Sequence, residues 1–153
     1  MDFRTATQED LPEIVRLLAD DELGAGREKY EDPLPEAYIR AFTEMDAQGG
    51  NEILLATEDG KVIGCLQLML IPGLARLGMK RAQIEGVRVD SRYRGQKVGE
   101  ALFFEAIRRA ENEGCGLVQL TTDKQRPDAR RFYEKLGFTA SHEGMKLLFD
   151  ENK

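Results

Sequence analysis

The sequence predicts an α/β protein in which one mixed β-sheet is covered by helices on both faces. Apolar residues at helical spacing recur along the chain and are separated by shorter apolar runs typical of strands. Strands and helices alternate only in part, which indicates a mixed sheet rather than a wholly parallel one. At 153 residues, with no repeat or linker, we expect a single domain spanning residues 1–153.

The N-terminal third begins with a short strand and a helix. FRTAT at residues 3–7 is typical of a first strand. The next apolar residues recur at the spacing of one helix face: Leu11, Ile14, Val15 and Leu18. Thr7 or Asp10 would cap this helix. After a stretch of glycine, proline and charge from Asp20 to Pro35, a second helix is predicted around residues 36–46.

Three strands are predicted in the middle of the chain. NEILLAT and KVIGCLQLML are joined by EDGK, whose Asp-Gly pair is typical of a hairpin turn. In the third strand, RAQIEGVRV, Ile84 is out of step with Val87 and Val89, and the slip falls at Gly86. A glycine at such a slip indicates a β-bulge, whose unpaired backbone groups could bond an extended ligand. An edge or surface kink is the alternative explanation.

The stretch YRGQKVGEAL, from Tyr93 to Leu102, combines glycines and basic side chains at the predicted start of a helix that runs to about Glu113. A helix N-terminus offers unpaired N–H groups and the positive end of the helix dipole. An anion such as a phosphate could therefore bind there, although an ordinary glycine-bearing loop with solvated bases would look the same. Beyond this helix we predict a strand in GLVQLTT, a helix from Pro127 to Leu136 and a last strand in MKLLF, residues 145–149.

Composition excludes several classes of function. With 22 basic and 28 acidic residues the net charge is −6, which disfavours nucleic acid as the main partner. No apolar run reaches the roughly 20 residues of a membrane span, and the N-terminus lacks the features of a signal peptide, so we expect a cytoplasmic protein. Cys65 and Cys115 are expected to be reduced thiols, and with one histidine in the chain no metal site is expected.

The clearest resemblance to a known family lies in two segments, IEGVRVDSRYRGQKVGEAL (Ile84 to Leu102) and DARRFYEKLGF (Asp128 to Phe138). Together they resemble the GNAT superfamily of acetyl-CoA-dependent N-acyltransferases. The order of elements along nearly the whole chain is also similar to that family. The resemblance implies a GNAT-like, mostly antiparallel mixed sheet, acetyl-CoA as cosubstrate and an N-acetyltransferase activity. It also implies a homodimer formed through the later strands, for which the sequence contains no independent sign.

The resemblance further implies where the cofactor binds. The backbone of Val87 and Val89 would pair with the pantetheine arm, and the amides from Gly95 to Glu100 would hold the pyrophosphate. The expected cofactor-binding residues are Val87, Arg88, Val89, Arg94, Gly95, Gln96, Lys97, Val98, Gly99 and Glu100. Lys97 stands where the family usually has its middle glycine. If that position needs a positive φ, lysine costs about 1 kcal/mol; we expect instead that it lies in the first helical turn, where lysine is harmless and adds charge. Arg126 stands where many members have an asparagine, so that contact is not carried over.

Acetyl transfer to an amine needs a base for the ammonium group and an acid for the departing thiolate. Glu85, beside the predicted bulge, is the candidate base; a carboxylate paired with a nearby arginine is the alternative. Tyr133 is the candidate acid by its resemblance to the family tyrosine, although its helical spacing alone indicates a core residue. The backbone amide of Val87 is the candidate donor to the oxyanion.

The acceptor is expected to be a primary amine of a small molecule or a peptide. In the resembling family the first helix pair covers the acceptor site, and here that segment holds six carboxylates: Asp20, Asp21, Glu22, Glu28, Glu31 and Asp32. They would favour a cationic acceptor, unless they form only a solvated loop. A catalytically silent coenzyme A sensor is the alternative function. A DNA-associated regulator fits least, because no helix-turn-helix with a basic second helix is evident.

Overall fold

The structure is a computed structural model that describes residues 1–150 of the chain. Its elements follow in the order β1 (Asp2–Thr5), α1 (Leu11–Ala19), α2 (Glu22–Ala25), α3 (Glu36–Gln48), β2 (Asn51–Glu58), β3 (Lys61–Ile71), α4 (Ala75–Gly78), β4 (Arg81–Val89), α5 (Val98–Asn112), β5 (Leu117–Gln119) and α6 (Pro127–Lys135). The short α4 is irregular, since Arg76 and Leu77 have left-handed backbone angles. The order agrees with the predicted one as far as α6, with α2 and α4 as short additional helices.

The strands form one open sheet in the order β1-β2-β3-β4-β5. Strands β1 to β4 are antiparallel, and β5 runs parallel to β4. The β2–β3 hairpin turns at Asp59 and Gly60, whose φ angles are 51° and 78°. Positive φ at both turn positions is the geometry that an Asp-Gly pair favours. The predicted mixed, mostly antiparallel sheet and its hairpin are confirmed.

Helices cover both faces of the sheet, as predicted. On one face, α5 buries Val98, Leu102, Phe103, Ala106 and Ala110 against the strands. On the other face, α1 buries Leu11, Ile14 and Leu17, and α3 adds Phe42. In α1 the spacing predicted that Leu18 faces the core. Leu17 is the residue buried there, and Leu18 is half-buried. Burying one of the valine, leucine, isoleucine or phenylalanine side chains contributes about 1.5–3 kcal/mol, so both faces stabilise the sheet.

The predicted last strand is wrong. Residues 145–149 form no strand in the structure, and Met145, Leu147 and Phe149 are exposed. An apolar run becomes a strand only when a neighbouring strand accepts its backbone hydrogen bonds, and no strand of the described residues pairs with this one. The predicted strand GLVQLTT is also shorter than expected, because pairing with β4 is confined to Leu117–Gln119.

Among residues 1–150, no helix is both long and apolar enough to cross a membrane.

Candidate functional site

Strand β4 has an open edge beside a bulge. Cys65 pairs with Arg88 and Gln67 pairs with Glu85, so one residue of β3 lies opposite both Gly86 and Val87. Gly86 has φ +61°, a left-handed conformation that glycine adopts without strain. The predicted bulge is confirmed. Because β5 pairs with β4 through Gln83 and no farther, no strand within residues 1–150 occupies that edge from Ile84 to Val89.

The loop after β4 leads directly into the N-terminus of α5. A cleft of about 290 Å³ opens there, and it is lined by Val89, Tyr93, Arg94, Gly95, Lys97, Val98, Gly99, Glu100 and Phe132. The first N–H groups of α5 have no partner within the helix, and they lie at the positive end of its dipole. The cleft therefore joins an open strand edge to a helix N-terminus that favours anions. Of the ten expected cofactor-binding residues, Val87, Arg88 and Gln96 do not line it.

The expectation for Lys97 is wrong. Lys97 is not in the first helical turn: it is the N-cap of α5, with φ 64° and ψ 24° in the left-handed region. A side chain there brings Cβ close to the following carbonyl and costs about 1–2 kcal/mol. The chain has to reverse direction between Gly95, with φ +79°, and Val98, and this reversal imposes the conformation.

We expect Lys97→Gly to raise the stability of the ligand-free protein by about 0.5–1 kcal/mol, since glycine adopts this conformation without strain but is more flexible when unfolded. The melting temperature should rise by about 1–4 °C, measured by thermal unfolding. Lys97→Ala is the matched control, because it removes the charge and keeps the strain; an equal rise in both variants would attribute the effect to charge.

Asp90 ties the loop to the rest of the molecule, and the sequence reasoning missed it. Its side chain is 1% exposed and accepts hydrogen bonds from Arg16 of α1 and from both the backbone and guanidinium of Arg92. These bonds, with those from Arg92 foremost, hold the pKa of Asp90 far below its usual range despite burial. Its backbone N–H donates to the carbonyl of Ile63 in β3. An acidic residue directly after an apolar strand and before SRYR was the available signal.

Tyr133 lies on the same face of the sheet as α5. Its ring packs against Phe103, Phe132 and Phe138, with a distance of 5.3 Å between the ring centroids of Tyr133 and Phe103. Burial raises the pKa of the Tyr133 hydroxyl, and the positive charges of Arg126 and Arg88 partly oppose this effect. Tyr133 is therefore protonated at neutral pH, and its hydroxyl has no hydrogen-bond partner in the described part of the chain.

Glu85 lies on the opposite face. It is exposed and pairs across the strands with Gln67, which in turn pairs with Ile53 on the face covered by α1 and α3. Glu85 makes no ion pair within residues 1–150, so no arginine there pairs with it as the alternative explanation expected. Tyr133 and Glu85 thus flank the open edge of β4 from the two sides of the sheet rather than sharing one face.

The acidic segment before α3 is partly neutralised. Asp21 receives ion pairs from Arg88, at 3.3 Å, and from Arg126, at 2.9 Å. Burial pushes the pKa of Asp21 upward, but the Gly24 amide and the two arginines outweigh burial and hold the pKa below its usual range. Glu28 accepts a hydrogen bond from the hydroxyl of Tyr38. The other four carboxylates, Asp20, Glu22, Glu31 and Asp32, are exposed.

Neither cysteine is suited to carry an acyl group. Both are free thiols; Cys65 is buried and Cys115 is half-buried. Burial raises the pKa of Cys65 to about 12, and it also raises that of Cys115. A thiol attacks as thiolate, so neither group is activated at neutral pH.

Comparison with known proteins places this geometry in a family. The model of the Acetyltransferase (GNAT) family matches residues 11–138. A solved structure of a transcriptional regulator from Bacillus halodurans is 53% identical, with a TM-score of 0.93, and the match covers 97% of this chain and 99% of the other.

Two curated relatives carry names that state an activity. Glucosamine 6-phosphate N-acetyltransferase from Trypanosoma brucei brucei is 29% identical over 96% of this chain and 95% of its own length. Aminoalkylphosphonate N-acetyltransferase from Salmonella typhimurium is 29% identical over 92% of this chain and 86% of its own length. The matches therefore span the strand edge, the loop and α6 together.

Proposed function

Because this chain belongs to the GNAT family of acetyltransferases, which use acetyl-CoA as cosubstrate, we propose that it acetylates a primary amine by direct attack in a ternary complex. The observation that carries the proposal is the open edge of β4 from Ile84 to Val89, which leads into the N-terminus of α5. A pantetheine arm is an extended chain with amide groups, and such a chain can add to a strand edge.

The residues of this region fit the cosubstrate. In the proposal, the backbone of Val87 and Val89 pairs with the pantetheine amides, and the N–H groups from Gly95 to Glu100 hold the pyrophosphate. Arg94 and Lys97 supply the positive charge that neutralises it. The left-handed angle of Lys97 turns the chain within this run of N–H groups.

The chemistry requires that the amine lose protons and that the leaving thiolate gain one. Glu85 takes a proton from the ammonium group, directly or through water, and the free amine attacks the thioester carbon. The backbone amide of Val87 donates to the oxyanion, and the attacking nitrogen releases its second proton to water. The C–S bond then breaks, and Tyr133 protonates the leaving thiolate. Glu85 returns its proton to solvent and Tyr133 recovers one from it, so the net products are the amide, coenzyme A and one proton. The absence of activation at Cys65 and Cys115 supports direct attack over an acyl-enzyme.

The acceptor we propose is a small-molecule amine rather than a peptide. The relatives from Trypanosoma and Salmonella are named for acceptors of this size, glucosamine 6-phosphate and aminoalkylphosphonates. The expected preference for a cationic acceptor loses its main support, because Asp21 already binds two arginines and the remaining carboxylates are exposed or bonded to Tyr38.

We expect saturating acetyl-CoA to raise the melting temperature by several degrees, measured by thermal unfolding with ATP and NAD as controls. A ligand at about 100 times its Kd adds about 2.7 kcal/mol of stability. A rise only with acetyl-CoA supports the site, and acetylated product from an amine panel then supports the reaction. Binding without product from any amine would favour the coenzyme A sensor, and an equal rise with every phosphate compound would contradict a specific site.

A further inference from the structure

Three arginines from three separate elements meet at the start of α2. Arg88 comes from β4 beyond the bulge, Arg94 from the loop before α5, and Arg126 from the residue before α6. Arg88 and Arg126 both reach the same carboxylate oxygen, Oδ2 of Asp21, and Arg94 lies 3.5 Å from the carbonyl oxygen of Asp20. The sequence pattern did not group these residues, since they are far apart along the chain.

In the described part of the chain, Asp21 accepts a hydrogen bond from Arg126 but not from Arg88. Its Oδ1 accepts a hydrogen bond from the backbone of Gly24, which leaves Oδ2 for the two arginines. Arg88 donates from Nη1 to the carbonyl of Val87, and its buried Nε lies 3.3 Å from Oδ2 of Asp21 without forming a hydrogen bond to it. Arg126 donates a hydrogen bond from Nη2 to Asp21, and its side chain is 32% exposed. One carboxylate therefore faces two guanidinium groups, so positive charge is in excess at this point.

This arginine cluster lies beside the proposed chemistry. Arg88 directly follows Val87, the candidate oxyanion donor, and the charges of Arg126 and Arg88 both act on the hydroxyl of Tyr133. A molecule with an anionic group on the cluster would hold its other end near the open edge of β4. An amine on that other end could then reach the thioester.

We propose that Arg126 and Arg88 bind a phosphate or phosphonate group carried by the amine acceptor. This inference rests on the proposed acetyltransferase function and names the acceptor class. A guanidinium group offers a planar pair of donors that matches two oxygens of such an anion, and two guanidinium groups offset a dianion. Asp21 holds the two arginines in place until the anion arrives, and Arg126, the more exposed of the two, meets it first.

The test compares amines that differ in the anionic group. Glucosamine 6-phosphate and glucosamine form one pair, and 2-aminoethylphosphonate and ethylamine form the other. Binding is measured by isothermal titration calorimetry and acetylation as kcat/KM, for the wild type and for Arg126→Gln. We expect the anionic member to bind at least about tenfold more tightly in the wild type, and Arg126→Gln to reduce this preference by at least about tenfold. Calorimetry of the amines needs no catalysis, so a failed acetyltransferase assay would leave this test intact.

Arg130→Gln is the matched control, because Arg130 is an exposed arginine of the same helix that forms an ion pair with Glu134. It should leave the preference unchanged. Asp21→Asn removes the competing charge, keeps a side-chain acceptor for the Gly24 amide, and should raise the affinity for the anionic amines at least about twofold.

Three results would overturn the proposal. Equal binding of both members of each pair would show that the acceptor anion is not recognised. If Arg126→Gln still prefers the anionic amine as strongly as the wild type does, the arginine cluster does not bind the acceptor. If that variant also binds acetyl-CoA more weakly, Arg126 contacts the cosubstrate instead. Weaker binding of all the amines to Asp21→Asn would show that Asp21 attracts the ammonium group instead.

Discussion

Replacing Tyr133 with phenylalanine should lower kcat for acetyl transfer by a factor of about 100 or more, the usual contribution of a general acid. The change removes the hydroxyl and retains the ring, which packs 5.3 Å from the ring of Phe103. Because burial raises the pKa of Tyr133, the hydroxyl is protonated at neutral pH and can donate to the thiolate. Steady-state kinetics with a saturating amine measures the effect.

Two controls separate chemistry from folding in this variant. The melting temperature should change little, since the hydroxyl has no hydrogen-bond partner in the described residues, and the Kd for acetyl-CoA should stay within a few-fold. Glu85→Gln separates the acid from the base. Its loss of kcat relative to the wild type should become smaller as the pH approaches about 10, where alkyl amines lose their proton unaided. The loss of kcat in Tyr133→Phe should persist at that pH. A kcat within about threefold of wild type for Tyr133→Phe would reject the acid role.

The largest loss of stability is expected for Asp90→Asn, at about 2–3 kcal/mol. The substituted amide would keep the shape of the side chain but leave the guanidinium groups of Arg16 and Arg92 without their common negative charge. Removing one partner of a fully buried pair costs about 3–5 kcal/mol, and the lower figure here reflects arginines that are 25% and 71% exposed. Denaturant unfolding of both proteins at neutral pH gives the difference.

The pH dependence of this difference has a defined sign. The pKa of Asp90 is lowered by folding, so its contribution is complete above the ordinary aspartate pKa of about 3.9 and declines as the pH falls below it. The difference in the free energy of unfolding between the wild type and Asp90→Asn should therefore become smaller in acid. Glu13→Gln is the matched control, since Glu13 also pairs with Arg16 but is 48% exposed, and it should cost less than about 1 kcal/mol. Similar losses in both variants would show that burial of Asp90 is not the cause.

Sequence predicted well those features that a few neighbouring residues determine. The third strand was expected at residues 81–89 and is observed as Arg81–Val89, because alternation of side chains is a local property. The slip at Gly86 appeared as a break in that alternation, and the turn at Asp59 and Gly60 followed from the preference of those residues for positive φ. Such signals need no knowledge of distant parts of the chain.

Sequence reasoning missed or wrongly predicted the features that depend on a partner distant in the chain. The apolar run at residues 145–149 has strand composition, yet no strand of the described residues is there to pair with it. Lys97 was expected in a helical turn, whereas the reversal of the loop imposes a left-handed angle. The carboxylate of Asp21 was expected to attract a cation, and two arginines about 67 and 105 positions away in the chain already bind it.

The sequence by itself determined the order of strands and helices as far as α6, the bulge, the glycine-bearing turn before α5 and the resemblance to one family, since each is written in short stretches of chain. Only the tertiary structure decided that Asp90 anchors that turn and that Arg88 and Arg126 converge on Asp21. The strength of a charge pair depends on the distance between its groups and on their exposure to water, and folding sets both.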